Sequence, residues 1–553
     1  MEKPINERYV FVLVFFITVL SGMHLSLMDI DASQYASISK EMFYNKSYLE
    51  IYCRGLDYLD KPPMLFWTSV LSFKIFGIHE WSYRLPSVLI SILGLFSLFK
   101  FSRLYYPTPI AFYSVLIFAS SQAFFLMSHD VRTDTMLCGF LLFSLWQLSS
   151  FFKFNKPLNL YLGTIGIAFA MMTKGPIGLI APVIIIGVNL IYTRKLKLLL
   201  DVKLLYALLL LTLLLFPMSY GLYTQFDLHP EKVAYGLKGP SGIRFYYWIQ
   251  SFGRITHESN WDNNPEPLFL VHSFLWSFLP WPILYLLAII KIINQTIKKE
   301  LRTYLPEFSS IGGFLILFLI MSLSSYQLPH YTFFIHPLAA ITLSHFIYHF
   351  KEDMILIRRI AILQFIVFIV LGAVLFYLNA WAFPNNPFLF NSIVVVALIY
   401  NFDLLLFSNK NRKANIIWSS FLFMAVCNFI LNAQVYPSIF QFQANEKIAD
   451  YMNKNHANAP LHIYKTDYWY SCDFKLKQNI QKENQLDSLL QFSLTKKLFI
   501  MTNEEGLTDL KSKLQIKDIS NFKNYPVSNL SLEFINPYKR NKTISYLYLV
   551  ETN

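Results

Sequence analysis

The sequence predicts a polytopic α-helical membrane protein with a small α/β domain at its C-terminal end. Three observations carry this. Of 553 residues, 55% are hydrophobic and 15% charged, whereas soluble domains carry about 25% charged residues. The apolar residues gather in runs, such as 10–27, 204–215 and 360–377, of the kind that cross a hydrocarbon core of roughly 30 Å, about 20 residues per helix. Past residue 432 the runs stop and the composition turns to that of a soluble chain.

Taken in order, the polar breaks divide the chain into about thirteen spans. They lie near 10–28, 84–100, 108–127, 135–152, 158–172, 176–193, 204–221, 267–290, 309–323, 331–349, 357–378, 388–407 and 416–432. The first run is long, lacks a small-residue cleavage site and is followed at once by Asp29 and Asp31, so it is expected to stay as a span. Alternate breaks differ in charge. One set holds Lys100 and Arg103, Lys153 and Lys156, Arg194, Lys195 and Lys197, Lys291, Lys298, Lys299 and Arg302, Arg358 and Arg359, and Lys410, Arg412 and Lys413. The other holds two long loops, near 29–83 and 222–266, and short breaks nearly free of cations. The positive-inside rule assigns the first set to the cytoplasm, together with the N-terminus bearing Lys3 and Arg8. An odd span count then leaves the tail outside. The expected organisation is a membrane domain over 1–432 and a soluble extracytoplasmic domain over 433–553. In the tail, 461–465, 497–502 and 546–550 read as strands, and 485–491 and 507–514 as helices.

The net charge of +13 resides largely in these orienting breaks. It therefore argues for membrane insertion and against a nucleic-acid partner. Cys138 and Cys427 lie in apolar spans. Cys53 and Cys472 lie in polar segments, where a pairing is open but follows from no spacing rule. No CxxC or His-rich metal pattern occurs.

The outer side carries the chemistry. Asp29 and Asp31 follow the first span. The first loop contains Asp57, Tyr58, Asp60, Lys61, Pro62, Pro63, Phe66 and Trp67, and ends with Glu80 and Arg84. The next outer break reads Ser128, His129, Asp130, Val131, Arg132, Thr133, Asp134. Then come Thr173, Lys174 and Gly175, then Arg254, His257 and Glu258, then Leu328, Pro329, His330 and Tyr331. Any one of these has a bland reading as an interfacial cap, a headgroup anchor or a solvated loop residue. Their gathering on one side is unexplained by orientation, which needs no charge there. Ionisable groups at membrane depth are costly and tend to mark function.

These residues resemble the dolichyl-phosphate-mannose-protein mannosyltransferase superfamily, most closely its bacterial branch similar to the lipid A aminoarabinose transferase. The resemblance rests on Asp31 with Tyr35, Ala36, Glu41 and Met42. It rests also on Tyr58, Asp60, Lys61, Pro62, Pro63, Phe66 and Trp67, on Arg84 to Ser87, on Asp134, on Thr173 to Gly175, and on Leu328 to Tyr331. The chain departs from that branch at Ala32, where the pattern has an acidic residue. It departs again near Arg254, where the stretch Gln250-Ser-Phe-Gly-Arg-Ile255 lacks a Glu-His pair. The resemblance implies a GT-C fold and an inverting, polyprenyl-phosphate-sugar-dependent glycosyltransferase. Its acceptor would be a hydroxyl of lipid A, a glycan or a protein, at the inner membrane.

Residue chemistry is consistent with that implication. A hydroxyl needs its proton removed as it attacks, and a carboxylate within hydrogen-bond reach does this. Asp31 is the expected catalytic base, selected by the family spacing to Tyr35, and Asp134 is expected to orient base or acceptor. Asp29 is expected simply to end the first helix in the headgroup layer, turned about 200° from Asp31 on a helix. The leaving lipid phosphate gains charge, so cations bind it more tightly in the transition state. Lys61, Arg254, Lys174 and Arg132 are the candidates, with Tyr331 donating a hydrogen bond and Asp60, Tyr35, His257 and Glu258 supporting. No cofactor is expected beyond the donor lipid, and a divalent metal is left open. Two rivals remain at this level: a transporter or flippase of lipid-linked glycans, and a non-enzymatic scaffold.

Overall fold

The computed structural model describes the chain except residues 1–6, 255, 257, 259–261, 350–353, 409–411, 479 and 484. The candidate His257 and the cations Lys3 and Lys410 lie outside the described residues. The chain divides into two units. The first comprises Met1–Met23, Met42–Gly372 and Val394–Phe429, and the second His24–Glu41, Ala373–Ile393 and Ile430–Asn553.

This is a multi-pass membrane protein. Among the described residues six helices are long and apolar enough to cross a membrane: Glu80–Arg103, Thr133–Phe154, Lys203–Asp227, Ile355–Ala382, Pro387–Leu406 and Arg412–Phe442. Two bent pairs raise the number to eight. Thr108–Ala119 and Gln122–His129 meet at 61°, and Phe269–Ser277 and Pro282–Ile297 at 115°. The stretches 108–127 and 267–290, expected as continuous spans, are therefore broken. The first breaks at Ser120 and Ser121, where Ser121 Oγ accepts from Phe124 N at 3.3 Å and restarts the helix as its N-cap. The second breaks before Pro282, preceded by Pro280; neither ring nitrogen can donate to a helix. The loop expected over 29–83 is also more ordered than its polarity suggests, because it contains helices Asp31–Asn45 and Met64–Phe76.

Close helix packing in the first unit depends on small residues. A Cβ on Gly139 would lie 2.5 Å from Ile90 O, and one on Gly94 would lie 3.0 Å from the Cα of Gly139. Glu80–Arg103 and Thr133–Phe154 thus touch backbone to backbone, as helices in lipid do where small residues meet. Thr133–Phe154 ends on Asn155, whose left-handed φ of 52° turns the chain. Helix Pro157–Lys174 then returns beside it. The N-terminus of one helix and the C-terminus of the other consequently lie together, which places Asp134 near Lys174.

Buried Arg84 donates to two backbone carbonyls. Its Nε donates to His129 O at 3.0 Å and its Nη1 to Met23 O at 3.1 Å. Both carbonyls lie at or beyond helix ends, where intrahelical donors run out.

In the second unit, five strands form a sheet in the order Ile480–Glu483, Leu461–Tyr464, Phe499–Thr502, Ser545–Thr552, Ile516–Asn524. The first three are parallel and the last two pair antiparallel. Leu461–Tyr464 and Phe499–Thr502 are buried throughout, as expected for parallel strands covered on both faces. Ile448, Ala449 and Met452 of helix Ala444–Asn455 cover one face, and Leu489, Leu507 and Leu510 cover the other. The helices Leu486–Ser493 and Glu504–Lys513 supply that second layer.

Gly139→Val is expected to lower the melting temperature of the detergent-solubilised protein, because overpacking at such a contact costs about 1–3 kcal/mol. A fluorescence-detected thermal melt checks this. An unchanged transition would show that the two helices part without cost.

Candidate functional site

The cluster in the first unit is built on the helix ends that the Asn155 turn brings together. Asp134 stands in the first turn of Thr133–Phe154, is 2% exposed, and forms an ion pair through Oδ1 with Lys174 Nζ. The helix N-terminus itself favours a carboxylate there. Its other oxygen, Oδ2, lies 3.8 Å from His330 Nε2. The Lys174 ammonium sits 4.4 Å from the centre of the Tyr331 ring, a favourable cation–π position. Tyr331 Oη accepts from Arg254 Nη1 at 2.6 Å. Lys61 and Arg254 both lie within electrostatic reach of Lys174, and Arg132 within reach of Asp134 and His330.

Each of these residues is held by local structure. Gly175 follows Lys174 with φ of 90°, a conformation in which a side chain is strained, and so ends the helix at the lysine. Pro329–Ile335 is a tight 3₁₀ segment pinned by His336, whose Nδ1 pairs with Thr332 O at 2.7 Å and Nε2 with Ser277 Oγ at 3.0 Å. Arg254 closes the turn Phe252–Arg254, and its carbonyl accepts from Ser325 N at 3.0 Å. Asn263 and Gln327 exchange two further bonds, at 2.7 and 3.0 Å. The loop carrying Arg254 is thereby stitched to the segment carrying Tyr331.

Lys61 precedes Pro62 and Pro63, which open the helix Met64–Phe76 without wasting backbone donors. It pairs with Asp60, and Asp60 O accepts from the Gln250 amide. Gln250 Oε1 is buried with no hydrogen-bond partner among the described residues. Asp57 joins the same two loops, its Oδ1 accepting from Gln225 Nε2 and Lys232 Nζ, both at 3.0 Å. Leu59, Phe226, Ala234 and Phe245 pack beneath.

Arg132 is engaged by Asp130, with Nε to Oδ2 at 2.5 Å, at the edge of this group. Glu258, expected as a supporting residue, stands apart. It is exposed and accepts from Arg244 Nη2 at 3.1 Å, Trp248 Nε1 at 3.0 Å and Thr256 Oγ1 at 3.1 Å. These bonds hold its carboxyl below the usual range, that from Trp248 foremost. His330 and Gln250 were not singled out from sequence; His330 was legible only as the variable position of the Leu-Pro-x-Tyr element.

Asp31 and Tyr35 belong to the second unit. They are four residues apart on Asp31–Asn45 and so share a helix face, Asp31 half-buried and Tyr35 buried. Asp29 corrects the expectation of a headgroup cap. The first helix ends at Gly22, so Asp29 belongs to no helix and is fully buried. Its carboxylate accepts from Ser33 Oγ, from Ser471 N at 3.0 Å and from Ser471 Oγ at 2.5 Å. Burial pushes this carboxyl up to about 6, against the opposing effect of those bonds. Among the described residues, no three His, Cys, Asp or Glu side chains come together in a metal-binding group.

Residues 60–220 match the family model described as dolichyl-phosphate-mannose-protein mannosyltransferase. An uncharacterized protein of Aquifex aeolicus (strain VF5) is 24% identical over 446 residues, spanning 79% of this chain and 80% of that one. The undecaprenyl phosphate-alpha-4-amino-4-deoxy-L-arabinose arabinosyl transferase 2 of Proteus mirabilis (strain HI4320) is 24% identical over 59% of this chain. That alignment spans 57% of the relative's own length. The fold matches that of ArnT from Cupriavidus metallidurans, solved bound to undecaprenyl phosphate, with a TM-score of 0.73 at 17% identity and 98% coverage of both chains. In sequence over residues 60–220 the chain is similar to the dolichyl-phosphate-mannose-protein mannosyltransferase model, and in fold over nearly its whole length it is similar to ArnT.

Proposed function

We propose that the protein is an inverting glycosyltransferase, moving a sugar from a polyprenyl-phosphate donor to a hydroxyl acceptor on the extracytoplasmic face of the inner membrane. One observation carries the reading. Among the described residues, Lys61, Arg132, Lys174 and Arg254 gather in one cluster with Asp60, Asp130 and Asp134. Gathering cations at a membrane protein's helix ends is costly. An incoming phosphate would relieve that cost. The fold shared with an undecaprenyl-phosphate-bound structure supports the same ligand.

In this reading Asp31 takes the acceptor's proton as its oxygen attacks the anomeric carbon. The sugar–phosphate bond breaks on the opposite side, and the lipid phosphate leaves with the bonding electrons. Lys61 and Arg254 stabilise the charge it gains, which lowers the barrier because that charge is largest late in the reaction. Tyr331 fixes the Arg254 guanidinium by accepting from its Nη1. Asp134 holds the Lys174 ammonium in place through their ion pair.

The topology belongs to the proposal. Helices Glu7–Gly22, Pro157–Lys174, Ile177–Tyr192, Ser309–Ser322 and His336–Tyr348, with the eight above, make thirteen crossings. Thirteen crossings with cations inside put Arg412 and Lys413 in the cytoplasm and residues 445–553 outside. Cysteine-accessibility labelling of intact cells is expected to reach the tail; labelling only after the cytoplasm is opened would reverse this orientation.

Mass spectrometry of lipids and protein glycans from cells with and without the gene tests the activity. Deletion is expected to remove one glycoform; an identical set of glycans in both strains would refute the activity. Asp31→Asn should lower formation of that product by about 10²-fold, the scale of losing a general base, at equal protein in the membrane. Lys61→Ala and Arg254→Ala should weaken donor use. Arg254→Lys should also be impaired, because an ammonium lacks the two parallel N–H groups of a guanidinium. Wild-type donor kinetics in both alanine variants would remove the two residues from the site.

A further inference from the structure

We propose that the C-terminal α/β unit positions the catalytic base: Ser471 and the carbonyls of Asp473, Phe474 and Leu476 hold, through Asp29 and Lys40, the helix on which Asp31 sits. This rests on the reading of Asp31 as base.

All the contacts lie within the second unit. Ahead of the helix, Asp29 is gripped by both the backbone N–H and the hydroxyl of Ser471. In its first turn, Gln34 Nε2 donates to Tyr470 Oη at 2.9 Å. In its third, Lys40 Nζ donates to Asp473 O at 2.7 Å, Phe474 O at 3.2 Å and Leu476 O at 2.5 Å. Those carbonyls close the short helix Tyr470–Lys475, where helix geometry leaves acceptors free. The segment 470–476 therefore holds Asp31–Asn45 at points before and beyond Asp31. Contacts at two places along a helix fix its rotation as well as its tilt. Lys40 is nine residues from Asp31, about half a turn away in direction, whereas Gln34 is three residues away and shares its face.

Stability alone does not account for this arrangement. A fully buried carboxylate is expensive, and Glu446 nearby adds a second; burial raises both carboxyls. Lys40 is also held below its ordinary range by burial. A hydrophobic contact would join these segments at less cost. Charged, directional bonds are what specify one orientation.

The test uses the full-length protein in lipid nanodiscs, with hydrogen exchange read over residues 31–41, and complemented deletion cells, with the missing glycoform as product. Ser471→Ala combined with Lys40→Met is expected to raise exchange over 31–41 and lower product about 10- to 100-fold, the scale of an ångström's misplacement. Binding of undecaprenyl phosphate should be unchanged, and exchange in strand Phe499–Thr502 should remain slow, which shows that the unit is folded. Ser471→Thr, which keeps both donors, should behave as wild type. Wild-type exchange and product in the double variant, alongside an inactive Asp31→Asn, would overturn this inference alone. Full product from Asp31→Asn would overturn the base assignment and this inference with it. Fast exchange throughout the sheet would reduce the clamp to a folding contact and also overturn it.

Discussion

The ion pair between Asp134 and Lys174 is the constraint on which the first unit turns. Burying either charge alone costs several kcal/mol, so the two helix ends that carry them must meet. The meeting requires helices Thr133–Phe154 and Pro157–Lys174 to lie antiparallel at close range. Asn155 makes the turn, and the glycine contact at Gly139 brings Glu80–Arg103 against the same helix. Tyr331 and His330 then complete the shell around the pair, and Arg254 follows Tyr331. Removing the pair would leave this shell without the charge that organises it.

The two long loops of the first unit are built around polar anchors. Asp57, Gln225 and Lys232 join them at one place, and Asp60 with Gln250 at another. Each anchor satisfies a backbone or charged group that would otherwise be buried unpaired, a cost of about 1–3 kcal/mol apiece. Lys61 and Arg254 therefore sit on rigid supports although neither lies within a long helix. Such rigidity is what a site needs when its chemistry consists of stabilising developing charge.

The relation to the aminoarabinose transferases is uneven along the chain. The family match covers residues 60–220, whereas the fold match covers nearly all of it. Residue types that bind phosphate recur within the matched region, at Lys61 and Lys174. Arg254 lies beyond the matched region, and nearby Gln250 donates to Asp60 O.

Much of the fold was legible from residue patterns. Apolar runs located a helix in every expected span, because lipid forces the backbone to pair within its own segment. The strands within 461–465, 497–502 and 546–550 were legible because buried strands are continuous apolar runs. The edge strands Ile480–Glu483 and Ile516–Asn524 were not, because an edge strand exposes polar side chains and takes its pairing from a neighbour. Lys61, Asp134, Lys174, Arg254 and Tyr331 were legible as one expected set, from the charge bias of the breaks and from the family pattern. Which groups pair was not, since Asp134 and Lys174 are 40 residues apart and contact depends on helix packing. Asp29 makes the division plainest. By itself the sequence determined a carboxylate just past an apolar run. Only the tertiary structure decided that it is buried against Ser471, 442 residues away, because long-range contacts are set by where the chain folds back and leave no local pattern.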